Sequence, residues 1–102
     1  MAYSVVLKKQ VHQSLWDAME WYEKQSAGLG LKLSTVFYDT LQKLADNPHR
    51  HMLVYETFRR ILMKRFPYKI VFAIDEPRQR VVVVAFWHVK RNPEDLKKLL
   101  KK

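Results

Sequence analysis

The stretch that decides the fold is YKIVFAIDEPRQRVVVVAFWHV, residues 68–89. β-Branched and aromatic residues dominate both of its halves, and a short polar turn at 76–78 separates them, which predicts two strands paired as an antiparallel hairpin. The run of valines at 81–84 is apolar at every position rather than at alternate ones. Such continuous apolarity is typical of a strand covered on both faces, so we expect this strand in the middle of a sheet.

The segments upstream of this hairpin alternate between strand and helix patterns. Residues 3–7 predict a first strand and YETFRRILMKRF, residues 55–66, predicts another. Between them, apolar positions with a period of 3.6 predict one helix from Val11 and a second through Leu44, joined by a tight turn at AGLG, residues 27–30. The Asn-Pro pair at 47–48 ends the second helix.

The chain ends in a further helix. Residues 92–95, Asn-Pro-Glu-Asp, supply a cap residue, a proline at the first helical position and two acids in the first turn, which predicts a short, lysine-rich helix. We therefore expect a single α+β domain over residues 1–102. In it, an N-terminal strand and a helical hairpin accompany a mostly antiparallel sheet of about four strands, the hairpin packs on one face of that sheet, and a short C-terminal helix follows.

Charge and composition narrow the class of protein. The net charge is +9, and residues 51–102 carry thirteen basic against five acidic side chains. This favours phosphates or an acidic protein as partners. The absence of cysteine excludes disulfides, thiolate zinc sites and cysteine nucleophiles, and suits a reducing cytosol. Because the apolar stretches are too short for a signal peptide or a membrane span, we expect a cytoplasmic protein without membrane association.

The segment at 59–65 is unusually basic for a strand. Its cations are Arg59, Arg60, Lys64 and Arg65. Alternation in a strand would place Arg60 and Lys64 on one face and the other two on the opposite face. We expect one of these sets to form an anion-binding surface, with Tyr68 and Trp87 available to stack on bases. The alternative is an edge strand that its cations keep unpaired.

The segment WHVKR, residues 87–91, is the second candidate for chemistry. His88 could transfer a proton in RNA cleavage, while Lys69, Lys90 and Arg91 stabilise the charged phosphorane. A second proton-transfer group is not evident, and His88 could instead only end its strand with a hydrogen bond. We expect no metal site and no cofactor, because the chain lacks cysteine, paired carboxylates near its histidines and a glycine-rich phosphate loop.

Taken together, these segments resemble the toxins of the RelE/ParE superfamily of type II toxin-antitoxin modules. The resemblance is carried by WYEKQSAGLG (21–30), FRRILMKRFPYKIVFAID (58–75) and VVVVAFWHVKRNPE (81–94), and it covers nearly the whole chain. The Phe-Pro-Tyr element at 66–68 and the spacing of His88, Arg91 and Pro93 are similar to the ParE-type, plasmid-stabilisation branch. This resemblance implies a growth-inhibiting protein that a cognate, acidic and partly disordered antitoxin holds inactive.

The resemblance leaves the target open between DNA gyrase and ribosome-bound mRNA. For the endoribonuclease members it implies that Lys69 stands where they have an arginine after a tyrosine, and that Arg91 and His88 match further site positions. The tyrosine of their last helix has no match, since residues 96–99 read LKKL. We therefore favour a gyrase poison. The alternatives are a ribosome-dependent, metal-independent mRNA endoribonuclease, and a non-catalytic nucleic-acid-binding domain.

Overall fold

The computed structural model describes residues 2–101, which form five strands and three α-helices. The elements are β1 (Ser4–Leu7), α1 (Lys9–Gln25), α2 (Leu29–Asp46), β2 (Leu53–Tyr55), β3 (Phe58–Leu62), β4 (Tyr68–Asp75), β5 (Arg80–His88) and α3 (Pro93–Leu100). A single 3-10 turn, Pro48–Arg50, follows α2. The predicted α+β fold class and the order of its main elements are confirmed.

All five strands lie in one sheet with the order β1-β5-β4-β3-β2. The pairs β5–β4, β4–β3 and β3–β2 are antiparallel, whereas β1 pairs with β5 in parallel. The strand β5 is therefore interior, as its continuous run of valines predicted. Val81 and Val83 in it are fully buried.

The helical hairpin α1–α2 covers one face of the sheet and α3 covers part of the other. Phe37 of α2 and Phe72 of β4 are fully buried in the core on the hairpin side. On the opposite side, Leu96 and Leu100 of α3 pack on Val71 and Trp87. The valine run predicted cover on both faces, the sequence assigned only the helical hairpin to one of them, and the apolar stripe of α3 supplies the cover on the other.

Two glycines set the turn between the first two helices. Gly28 has a φ of 88°, a left-handed conformation that glycine adopts without steric cost, and it caps the start of α2. Both glycine N–H groups donate to the carboxylate of Glu23, at 2.8 Å for Gly28 and 3.0 Å for Gly30. These bonds lower the pKa of Glu23 and satisfy two donors that the start of a helix leaves free.

The sequence interpretation missed one strand and extended another too far. Residues 55–66 were predicted as one strand, but the chain reverses at Glu56, whose φ is 49°, so that β2 pairs back onto β3. The strand β3 then ends at Leu62. The sheet therefore has five strands rather than the predicted four or so. The sequence missed the turn because it contains no glycine or proline.

Candidate functional site

Three cations and one tryptophan come together on the sheet face that α3 partly covers. Arg60 stands opposite Val71 in the β3–β4 register, and Lys69 stands opposite Trp87 in the β4–β5 register. Side chains two residues apart on a strand share a face, so Arg60 and Lys69 are neighbours. We call the set Arg60, Lys69, Trp87 and Arg91 the basic sheet face.

The electrostatics of this face are those of like charges held close together. Burial lowers the pKa of the Lys69 ammonium, and the positive charge of Arg60 lowers it further. The Arg91 guanidinium lies 3.8 Å from the ring centroid of Trp87, a cation–π contact. Trp87 is only 3% exposed, so its ring orients Arg91. The sequence suggested that Trp87 stacks on a base, but its buried ring is not open to one.

No carboxylate neutralises this face within residues 2–101. The ion pairs of these residues join Asp75 to Arg78 and Arg80, Glu94 to Lys97, and Glu76 to His49. None of them includes a cation of the basic sheet face. Arg78, in the turn that precedes β5, lies at the opposite end of that strand from Trp87. The cations of the basic sheet face therefore remain available to an external anion.

Lys64 and Arg65 lie elsewhere, although the sequence interpretation placed Lys64 beside Arg60. The expectation of a continuous strand through Arg65 is wrong, because β3 ends at Leu62 and the chain turns. Met63 and Phe66 are buried in the core, and this anchors the turn and directs Lys64 and Arg65 toward α2. The pairing of Arg60 with Lys64 on one face and of Arg59 with Arg65 on the other is therefore not found, because Lys64 and Arg65 lie together near α2.

Arg59 has a structural set of contacts. It faces the hairpin side of the sheet, where its Nη1 donates to the carbonyl of His51 at 2.7 Å and to that of His49 at 3.1 Å. These bonds hold the loop that follows α2 against β3. The prediction that Arg59 binds a target stays a prediction, and its guanidinium is already engaged by the protein.

His88 faces the hairpin side and lines a cleft of about 330 Å³. Tyr68, its partner across the β4–β5 pair, meets the imidazole edge to face, with 5.1 Å between ring centroids. Tyr68 also stacks on Phe86, at 4.3 Å between centroids. Arg91 lines the same cleft, so this one guanidinium borders both the cleft and the basic sheet face.

His88 and Tyr68 are poorly suited to removing a proton at neutral pH. The N–H of Lys90 donates to Nδ1 of His88 at 3.1 Å, so a neutral ring carries its proton on Nε2 and has no free lone pair. Burial, followed by the adjoining Tyr22 hydroxyl, raises the pKa of Tyr68 to about 12. Tyr68 therefore remains a hydrogen-bond donor at neutral pH. Lys90 itself is exposed at the rim.

Three polar or aromatic residues of α1 in this cleft were not identified from the sequence. Ser14, Asp17 and Trp21 line the cleft from α1. Their spacing of three and four residues, which puts them on one face of that helix, is the signal that the sequence offered. The 58% exposure of Trp21 is evident only from the structure. Asp17 accepts a hydrogen bond from Nε2 of Gln13 at 2.9 Å, so its carboxylate is partly satisfied within α1.

Within residues 2–101, the geometry defines a small α+β protein with a basic surface that no carboxylate neutralises. A sequence profile for the ParE toxin of the type II toxin-antitoxin system, parDE, matches residues 5–93. This chain therefore belongs to the ParE toxin family. No curated relative of the chain matches significantly.

Solved structures with the same fold have little sequence in common with this chain. The chromosomal ParDE toxin-antitoxin system of P. aeruginosa superposes with a TM-score of 0.76 at 12% identity, covering 87% of this chain and 98% of that one. A mutant of the E. coli toxin RelE in the free state gives a TM-score of 0.64 at 13% identity, over 99% and 97% of the two chains. The RelBE2 toxin-antitoxin complex of Mycobacterium tuberculosis gives 0.59 at 17% identity, over 86% and 99%.

These superpositions establish the fold, and the family profile establishes the class of protein. The architecture expected from the resemblance to RelE and ParE toxins is confirmed. None of the helices within residues 2–101 has the length and apolarity needed to cross a bilayer.

Proposed function

We propose that this toxin inhibits growth by binding DNA gyrase or its complex with DNA through the basic sheet face, without catalysis of its own. The observation that carries the proposal is that Arg60, Lys69 and Arg91 meet on one face of the sheet with no carboxylate partner within residues 2–101. Rigid strands fix two of these cations and the Trp87 ring orients the third. Cations fixed before binding lose little entropy when they engage a phosphate or a carboxylate.

We also propose that a cognate acidic antitoxin neutralises the protein. The structurally similar proteins from P. aeruginosa and M. tuberculosis are described as a toxin-antitoxin system and a toxin-antitoxin complex. A net charge of +9 supports an acidic partner, because opposite charge speeds the encounter and slows dissociation.

A second candidate function is ribosome-dependent cleavage of mRNA. It is supported by one observation, that His88 and Arg91 line the same cleft. Cleavage through the 2′-hydroxyl requires a base to remove a proton as well as an acid to supply one. The Lys90 N–H at Nδ1 of His88 and the high pKa of Tyr68 both oppose the role of base. The gyrase proposal is the better supported of the two.

The test compares both activities with the same purified toxin. Gyrase supercoiling and cell-free translation are measured with wild type, with the double variant Arg60→Gln/Lys69→Gln, and with the control Lys24→Gln/Arg78→Gln, which removes equal charge away from the basic sheet face. We expect supercoiling to be inhibited by wild type and control, and at least about tenfold less by the first variant. Inhibited translation with cut transcripts and normal supercoiling would establish the nuclease instead. Harmless expression in cells would favour the plain nucleic-acid-binding domain.

A further inference from the structure

A second basic site lies on the other side of the molecule, between α2 and the loop at 63–67. It is a cleft of about 600 Å³, which we call the α2 cleft. Its cations are Lys32 and Lys43 from α2, and Lys64 and Arg65 from the loop, and the one carboxylate in its wall is that of Asp39. No ion pair within residues 2–101 involves any of these four cations.

Two like charges, Lys43 from α2 and Lys64 from the loop, line the α2 cleft together. The neighbouring Lys64 ammonium lowers the pKa of Lys43. Asp39 opposes this shift only in part. Two neighbouring ammonium groups repel each other, and an anion placed between them relieves that repulsion. The pair is therefore arranged to receive an anion from outside.

The backbone keeps this pair together. Arg65 has a φ of 68°, a left-handed conformation that is unfavourable for a residue with a Cβ. It is maintained because Met63 and Phe66 on either side are each only 7% exposed and anchor the loop in the core. A strained conformation that the core imposes on one exposed cation, next to a second at Lys64, is the kind of feature that accompanies binding sites.

The walls of the α2 cleft indicate the chemistry of the ligand. Leu31, which is 69% exposed, and Val36 supply apolar surface beside the cations. Aromatic side chains are missing from this cleft within the described part of the chain. Nucleic acid that binds in a groove normally stacks its bases on aromatic rings. Apolar walls with a basic floor suit a peptide segment in which carboxylates alternate with aliphatic side chains.

We propose that the α2 cleft binds an acidic, leucine-containing peptide segment, with carboxylates on Lys43 and Lys64 and an aliphatic side chain on Leu31. The assignment of this segment to the antitoxin rests on the proposed function. Because the α2 cleft and the basic sheet face lie on opposite sides of the sheet, a segment bound in the cleft leaves Arg60 and Lys69 exposed. The cleft is thus an anchoring site for the partner, separate from the surface that contacts the target.

The experiment uses a fluorescent synthetic peptide of about 15 residues in which pairs of glutamates alternate with leucine, a length that spans such a groove. Its Kd is measured by fluorescence anisotropy with wild-type toxin, with Lys43→Gln/Lys64→Gln, and with the matched control Arg60→Gln/Lys69→Gln. We expect salt-sensitive binding that weakens at least about tenfold in the cleft variant and less than about twofold in the control. Asp39→Asn should tighten binding, because it removes the carboxylate that competes with the peptide.

Several results would overturn the assignment. One is absence of binding to wild type, and another is equal weakening in both double variants, which would show that only net charge matters. A third is a cleft variant that loses affinity for a single-stranded oligonucleotide while it keeps that for the peptide. Thermal melting checks that the variants fold, and we expect no loss of Tm when the like-charge pair is removed. Since the anisotropy assay contains no gyrase, a failed gyrase test leaves this result unaffected, and the reverse also holds.

Discussion

Arg91 packs on the ring of Trp87 with 3.8 Å between its guanidinium carbon and the ring centroid, while Lys69 is the cross-strand neighbour of the same tryptophan. A buried aromatic ring thus holds one cation in place and lies next to a second. Arg91 follows the end of β5 and is otherwise exposed, so without this contact its long side chain would be free to move. The contact therefore presents a preordered pair of positive charges on the basic sheet face.

The first prediction concerns the contribution of Arg91 to the proposed activity. We expect Arg91→Ala to raise the toxin concentration that halves gyrase supercoiling by at least about tenfold, and Arg91→Lys to raise it less, because lysine keeps the charge but not the planar stacking. The free energy of unfolding should change by less than about 1 kcal/mol, since the contact is at the surface. Full inhibition by Arg91→Ala would contradict the role of the basic sheet face.

A second prediction separates the two candidate functions at His88. Under the gyrase proposal, His88→Ala should arrest growth at an induction level within about twofold of wild type, because binding to gyrase requires no proton transfer by the imidazole. Loss of a proton-transfer group from a nuclease would instead lower activity by about 10²–10⁴-fold. Growth on inducer plates, with primer-extension mapping of transcripts, distinguishes these results.

The third prediction assigns Arg59 a role in stability. Arg59→Ala leaves the carbonyls of His49 and His51 without their charged donor, and we expect it to lower the free energy of unfolding by about 1.5–3 kcal/mol in urea titrations. Arg78→Ala, which removes a surface cation, serves as the control and should cost less than about 1 kcal/mol. If Arg59→Ala abolished gyrase inhibition while leaving stability unchanged, Arg59 would be a target-binding residue after all.

The fourth prediction concerns the close approach of α1 and α2 at Gly30. A Cβ at this position would lie 2.6 Å from the carbonyl oxygen of Met19, a backbone atom that cannot move without shifting α1. We expect Gly30→Ala to lower the free energy of unfolding by about 1–3 kcal/mol. Gly28→Ala meets no atom within 4 Å but keeps the positive φ, so it should cost about 1 kcal/mol through backbone strain alone.

The free energies of unfolding of Gly30→Ala and Gly28→Ala are compared through their denaturant midpoints, provided that the m-value is unchanged. Gly28→Asn provides a further comparison, since asparagine tolerates the left-handed conformation better than alanine. A Gly30→Ala variant as stable as wild type or more stable, as the better helix propensity of alanine alone would give, would remove the argument for a steric contact at Gly30.

The fifth prediction concerns acid stability at the far end of the sheet. Hydrogen bonds from His49, from the Tyr3 hydroxyl at 2.9 Å and from Gln79 lower the pKa of Glu76 below its ordinary value of 4.5. Because the folded-state pKa is lower than the unfolded one, this stabilisation is fully present above pH 4.5 and is lost as the pH falls through the folded-state value.

Thermal melting from pH 7 to pH 3 measures this effect, a range that brackets the titration of carboxylates. We expect the Tm of Glu76→Gln to be lower than that of wild type at neutral pH, with the two curves converging as the solution becomes acidic. Glu20→Gln, which removes an exposed carboxylate on α1, should instead follow the wild-type curve. Parallel curves for Glu76→Gln and wild type would show that Glu76 does not contribute through ionisation.

Secondary structure was largely predictable because its signals are local. The valine run predicted the interior strand β5, and the Asn-Pro-Glu-Asp segment predicted α3, where the Asn92 side chain accepts the N–H of Glu94 at 2.9 Å. The turn at Glu56 carried no such signal, since its positive φ is imposed by the pairing of β2 with β3. The end of β3 was hidden for a similar reason, because burial of Met63 and Phe66 overrides the strand pattern.

The sequence by itself determined the class of fold, the surplus of positive charge in the second half and the likeness to a toxin family, because periodicity and composition are carried by neighbouring residues. Only the tertiary structure decided which cations act together. A bulge at Val84 shifts the register, so that Val83 and Phe86 both face the hairpin while Ala85 and Trp87 face α3. One extra residue in a strand reverses the sides of all that follow, and here it turns Trp87 toward Lys69 and His88 toward the cleft.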